Sequence, residues 1–403
     1  MMYYGKSYPP IDFVFAHNSR DFIVEEIPLY EFQGSGEHTI IKIRKKNLST
    51  FEAIEILANV LQIPQRDIGY AGLKDKHALS YQFLSLPSKV SSNIPHVIHK
   101  NIKIIESTLH NNKLKIGHLR GNKFFIRLKK VSPYHFTRLQ SEALQAKRFG
   151  FPNFFGFQRF GIFGANYLLA KSITKPPNKQ TKKQKFLISS LQSHYFNLWL
   201  ESRLKISAII SSLNPQEAKV ALQQEYQLEL PLQVLKVLHA STLRLKPLIG
   251  DICKHYPFGR FFVLGQARGE SLRDAHGSFA TMISDIERLE QSQIAITGLL
   301  SGRESMNIGE DSKEADLADS LGHSVSKNTT KSLFATGQAG IIESRFAHYI
   351  QAQGTRRYAW VYPDSMKVSY MPREAQAILE FTLPSGSYAT SLLEYIKNAA
   401  LYP

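Results

Sequence analysis

Cysteine is nearly absent from this chain: Cys253 stands alone among 403 residues. One thiol forms no internal disulfide and supplies no multi-cysteine zinc site, and such sparing use suits a reducing, cytoplasmic compartment. Long apolar runs are missing as well. Ile11 to Ala16 is short and interrupted by Asp12, too little for a secretory signal. No uncharged stretch approaches the roughly 20 residues of a membrane helix, so a soluble chain with no membrane partner is expected. No GxxxxGK[ST] occurs, Gly34-Ser35-Gly36 lacks the third glycine of a dinucleotide fingerprint, and the paired H-x-E and P-C-x-x-C patterns of zinc deaminases are absent. Cys253 and His255 supply at most two metal ligands, so neither a metal nor an organic cofactor is expected. Acid, finally, is in short supply. Thirty-three carboxylates face 50 lysines and arginines, a formal charge of +17, which favours a polyanionic partner, nucleic acid first and an anionic membrane second.

What is present reads as mixed α and β structure. Thr39 to Arg44 alternates apolar and polar residues, the period of a half-buried strand. Ser49 and Glu52 have capping-box spacing, and Phe51, Ile54, Leu57, Ala58 and Leu61 then recur at helical spacing, predicting a helix from about residue 50 to 61. Tyr81 to Leu86 reads as a strand, and Lys113 to Leu128 as two strands joined by a turn at Gly121-Asn122. Phe149 to Gly164 interleaves seven phenylalanines with glycines, too glycine-rich for a regular helix interior. Lys171 to Lys185 holds six lysines, two prolines and no acid, a solvated basic loop. Gln184 to Leu204 and Pro215 to Leu243 read as helical, Ser301 to Thr330 as a polar, partly acidic surface segment. Strand character returns after Tyr358, best at Ala377 to Leu383, before a terminal helix over Ser391 to Ala400. No internal repeat is visible. The N-terminal strands lack closing elements until the C-terminal end, so the middle of the chain reads as an insertion.

Three short stretches could carry chemistry. In Gly69 to Ala78 (GYAGLKDKHA), Lys74 and Lys76 flank Asp75, and neighbouring ammonium groups favour the ionised carboxylate that a nucleophile or general base requires. An ordinary glycine turn with solvated charges reads equally from those residues alone. In Arg120 to Phe125, Asn122 either stabilises a turn or orients a carboxylate or base edge, with Phe124 as a stacking surface. In Pro384 to Thr390, Tyr388 follows a tight turn as a core aromatic or a ligand contact. Together, a basic surface, aromatics beside glycines and one lysine-flanked aspartate suit an enzyme that extrudes a nucleotide, stacks its base and acts covalently without a cofactor.

Seven motifs, in order through most of the chain, resemble those of the tRNA pseudouridine synthase D family. They are Asp21 to Glu26 (DFIVEE), Ala71 to Ala78 (AGLKDKHA), Gly121 to Phe124 (GNKF), Pro152 to Gly161 (PNFFGFQRFG), Thr297 to Gly302 (TGLLSG), Arg356-Arg357 and Leu383 to Thr390 (LPSGSYAT). The resemblance implies an α+β pseudouridine synthase catalytic fold, a long, mostly antiparallel sheet with helices, interrupted by an inserted α+β domain. It puts the discontinuous catalytic domain at 1–151 plus 360–403 and the insertion at 152–359. It also implies isomerisation of a uridine of tRNA, uridine 13, to pseudouridine, with no cofactor and no obligate protein partner. By motif, Asp75 is the catalytic aspartate, and Phe22, Lys74, Asn122, Phe124 and Tyr388 are substrate-contacting. The same isomerisation on another RNA, such as messenger RNA, and a non-catalytic RNA-binding protein are the alternatives.

Overall fold

Ser49 decides where the first helix begins. Its side-chain oxygen accepts the Glu52 N–H while the Glu52 carboxylate accepts the Ser49 N–H, closing a capping box at the head of α1 (Thr50–Leu61). The computed structural model, which describes residues 6, 8–161, 164–265, 279–303 and 334–401, places this helix over a large sheet. Ala53, Ile54, Leu57, Ala58 and Leu61 are buried in one cluster with Ile41, Ile43, Leu84 and Leu86 of that sheet. Each fully buried Ile or Leu there contributes about 1.5–3 kcal/mol.

The sheet is built from β1 (Val14–Phe15), β2 (Phe22–Pro28), β3 (His38–Lys45), β4 (Gly69–Tyr70), β5 (Leu79–Pro87), β6 (Ile102–His110) and β7 (Leu119–Lys129). The C-terminal strands Asp364–Met371 and Gln376–Pro384 complete its nine. Spatially the order is β6, β3, β5, β2, β7, Gln376–Pro384, Asp364–Met371, with β1 added to β7 and β4 to β5. Every pairing is antiparallel except β2 with β5. Directly opposed residues share a face. Register therefore aligns Lys45, Ser80, Val24, Phe124 and Phe381 in one row, with Glu26, Asn122 and Leu383 in the next. This is the face that α1 covers, and all eight side chains are buried.

The turn expected at Gly121-Asn122 does not exist. Both residues lie inside β7, which runs unbroken from Leu119 to Lys129. The glycine serves a different steric need: a Cβ at Gly121 would meet the backbone carbonyl of Leu383 on the next strand. Elsewhere the bounds shift: the strand is Gln376–Pro384, Gln184 to Leu204 lies within a longer helix, the terminal helix is Ala389–Lys397, and Pro215 to Leu243 is two helices, Pro215–Tyr226 and Leu232–Ala240, parted at Pro231. Residues 304–330, most of the expected polar segment, lie outside the described residues.

The described chain divides into two compact units. The first comprises Pro9–Arg148 and Pro363–Ala389, with Leu401, and holds the nine-stranded sheet. The second comprises Phe149–Tyr362 and Thr390–Ala400 with the described residues of Met1–Tyr8. Its centre is the helix Lys182–Ser212, started by a capping box between Thr181 and Gln184. A four-stranded sheet runs in the order Phe261–Val263, Ile252–His255, Ile294–Leu300, Thr355–Tyr358. Fully buried Arg203 of the long helix clamps Asp251, its second nitrogen 2.7 Å from Oδ2. Among the described residues no helix is long and apolar enough to cross a membrane.

Candidate active site

Asp75 sits in the loop between β4 and β5, and two histidines hold it. Its Oδ1 accepts the backbone N–H of His77 at 2.8 Å, an Asx-type turn within the loop, and its Oδ2 lies 3.1 Å from Nε2 of His17. Burial alone would push this carboxyl up, but the hydrogen bonds from His17 and the His77 N–H, with the charges of both histidines, bring it below the ordinary aspartate value. The carboxylate is therefore ionised at neutral pH.

The flanking lysines do not act as their sequence positions suggest. The Lys74 ammonium turns to Glu26 at 2.7 Å and the Lys76 ammonium to Glu52 at 2.6 Å. Lys74 and Glu26 are a buried pair beneath the loop, the Glu26 carboxylate also accepting the Phe83 N–H at 2.7 Å. Burial pushes the Glu26 carboxyl up against the pull of Lys74. The loop backbone is tied down from below. Thr50 Oγ1 accepts the Lys74 N–H, Gln82 donates to the Gly72 carbonyl, and fully buried Lys45 donates to the carbonyls of Leu48 and Asp75. Burial draws the Lys45 ammonium down to about 8, with Asp75 resisting.

An aromatic wall adjoins this carboxylate. The His17 ring lies 5.4 Å from Phe22, Phe22 is parallel to Phe124 at 6.2 Å, and Phe124 stacks on Phe381 at 5.3 Å. Phe22, Phe124 and Asn122 are thus brought to the one sheet face that also carries Glu26, the partner of Lys74. Asn122 Oδ1 is buried with no hydrogen-bond partner among the described residues. Tyr388, half-buried, lies four residues past Pro384, the strand partner of Gly121, on a turn fastened by Ser385 N–H donating to the Arg120 carbonyl. That is the end of β7 where Asn122 stands. His17, Lys45, Glu26 and Gln82 were not among the expected site residues, because each reaches the loop from a remote strand or segment.

The remaining motifs build the second unit. Asn153 donates to the Tyr358 carbonyl and accepts from Arg357, whose guanidinium lies over the Phe155 ring at 3.6 Å. Arg356 pairs through two nitrogens with Glu343, at 2.9 and 2.7 Å, and donates to Thr297. These buried networks place helices and strands.

Comparison with known proteins agrees with the motif order. The family pattern tRNA pseudouridine synthase D (TruD) matches residues 1–183. The chain is 41% identical to a tRNA pseudouridine synthase D of Wolinella succinogenes, covering 98% of this chain and 97% of that one. Identity is 42% to its counterpart in Helicobacter hepaticus, over 97% of this chain and 94% of the relative. A crystal structure assigned to tRNA pseudouridine synthase D of Methanosarcina mazei shares the fold, with a TM-score of 0.57 at 20% identity over 99% of this chain and 96% of that one.

Proposed function

Because the chain belongs to the tRNA pseudouridine synthase D family, we propose that it isomerises a uridine of tRNA, uridine 13, to pseudouridine, using Asp75 and no cofactor. The reaction breaks the C1′–N1 bond and forms C1′–C5, with C5 losing a proton and N1 gaining one. No electrons enter or leave and no group is added, so positioned acid–base or nucleophilic chemistry suffices. An ionised carboxylate starts either route: attack at C1′, or removal of the 2′ proton to give a glycal.

The observation that carries this reading is the state of Asp75, an aspartate held ionised by His17 and His77 next to an aromatic wall. The detached uracil must turn over without leaving. Stacked Phe22 and Phe124 offer a low-water surface for its faces, Tyr388 is the aromatic assigned to it by motif, and the unpartnered Oδ1 of Asn122 suits a ring N–H. Lys74 supports the loop from beneath through Glu26. The unit Pro9–Arg148 with Pro363–Ala389 is the catalytic domain in this reading, the intervening Phe149–Tyr362 the inserted one, and the cytoplasm, where tRNA is found, its place of work.

The deciding experiment maps pseudouridine in tRNA incubated with the protein or with Asp75→Asn. Pseudouridine at position 13 with the wild type and none with the variant is expected. Formation of the product in messenger RNA but not in tRNA would reassign the substrate, and binding without any isomerisation would make the chain an RNA-binding protein.

A further inference from the structure

The β6 edge of the sheet carries a cationic groove that the isomerisation chemistry leaves unused. It is a concavity of about 540 Å³ at the β6 edge, lined among others by Arg44, Lys46, Lys100, Lys103, Ile98 and Ile105. All six are exposed, Ile98 at 90%. None of the four cations makes an ion pair or side-chain hydrogen bond with a described residue, whereas Lys42, Lys74, Lys76, Arg127 and Lys129 of the same unit all pair with carboxylates. The one acid in the groove, Glu106, lies 3.6 Å from Lys42.

Register makes the arrangement more pointed. Arg44 and Lys103 are direct cross-strand partners on β3 and β6. Like charges directly opposed across a ladder destabilise the pairing unless an anion lies over them. The walls are also held in place: Lys46 N–H donates to the Asn101 carbonyl at 3.1 Å, and Asn101 N–H donates to His99 Nδ1 at 3.2 Å. Lys45, between Arg44 and Lys46 in sequence, points to the other face and donates to the Asp75 carbonyl. Strand β3 therefore links the two: Lys45 supports the aspartate loop, and its neighbours Arg44 and Lys46 line the groove at the β6 edge.

We propose that this groove binds the sugar-phosphate backbone of the RNA substrate, as a contact separate from the uridine pocket. A concave row of uncompensated cations fits a chain-like polyanion. Ile98 and Ile105 at the rim pack against sugars. The proposal rests on the RNA-modifying reading above and specifies where the remainder of that RNA is held.

The test compares two doubly neutralised variants, Arg44→Gln with Lys103→Gln and Lys46→Gln with Lys100→Gln, with a control pair on exposed helices of the other unit, Lys219→Gln with Lys236→Gln. Each groove pair is expected to raise KM for tRNA about tenfold with kcat unchanged at saturation, and to lessen the slope of log affinity on log salt by roughly 0.7–0.9 per lost phosphate contact. The control pair is expected to leave both within about twofold. Melting temperature should hold or rise in the Arg44–Lys103 pair, since a like-charge contact is removed. A loss as large in the control pair, or no change in KM in the groove pairs, overturns the proposal. So does groove-dependent binding to phosphatidylserine vesicles with tRNA binding intact, which would assign the groove to a membrane. A wild-type protein that isomerises no uridine yet binds tRNA through these four residues refutes the proposed function and leaves the groove standing.

Discussion

Nε2 of His17 lies 3.1 Å from Oδ2 of Asp75, so a histidine from the segment before β2 faces the carboxylate of a loop before β5. The contact ties the proposed catalytic group to a segment about 60 residues earlier in the chain, while the flanking lysines pair with Glu26 and Glu52.

Asp75→Asn keeps the shape of the side chain and removes its charge. The variant is expected to fold and to bind tRNA, with turnover reduced by at least roughly three orders of magnitude, the scale found when a nucleophile or its base is removed. Asn122→Ala should cost less, because it positions the ring and does not react. Pseudouridine formation measured beside tRNA affinity checks both, and near wild-type turnover by Asp75→Asn would eliminate it as catalyst.

His17→Gln should move the acid limb of the pH–rate profile. In the folded protein the Asp75 carboxyl is held below its unfolded value, so its contribution to stability is present above the unfolded pKa and is lost as pH falls through the folded one. Without His17 the opposition from burial is unbalanced and the carboxyl rises. The acid limb of kcat/KM then shifts to higher pH while activity at pH 8 changes little. An acid limb that stays in place would show that His17 does not hold the carboxylate.

Lys74→Met leaves the Glu26 carboxylate buried without its cation. A destabilisation of about 3–5 kcal/mol is expected, read from the urea midpoint, with partial recovery when Glu26→Leu is added. Equal stability of the single variant and the wild type would refute the account of the loop's support.

Gly121→Ala tests why a glycine stands within β7. The added Cβ meets the Leu383 carbonyl, a backbone atom that cannot swing aside. Overpacking of this kind costs typically about 1–3 kcal/mol, and because Asn122 follows directly, activity should fall further than stability predicts. A variant as stable and as active as wild type would mean the two strands can part at no cost.

Much of this was legible in the chain itself, and the misses share a cause. Helix α1 and the strand Gln376–Pro384 are readable because capping and periodicity are local properties. Asp75 stands out by its motif. The lysines beside it mislead because adjacency in sequence does not fix where a side chain goes in a turning loop: Lys74 reaches Glu26 and Lys76 reaches Glu52. Gly121-Asn122 looks like a turn because the strand that demands a glycine there comes from the far end of the chain. His17 carries no local mark at all; only the tertiary approach of its segment to the loop gives it a partner.

The aromatic wall has an order of assembly written into it. Phe124 is translated early, but Phe381, on which it stacks, belongs to a strand that follows all of Phe149–Tyr362. At roughly 5–20 residues per second, the ribosome needs on the order of ten seconds or more between them. Through that interval β7 lacks its C-terminal neighbour and presents an unpaired row of backbone N–H and C=O groups, an invitation to wrong pairing. A chain halted before Gln376 would already possess its aspartate loop and still be no synthase.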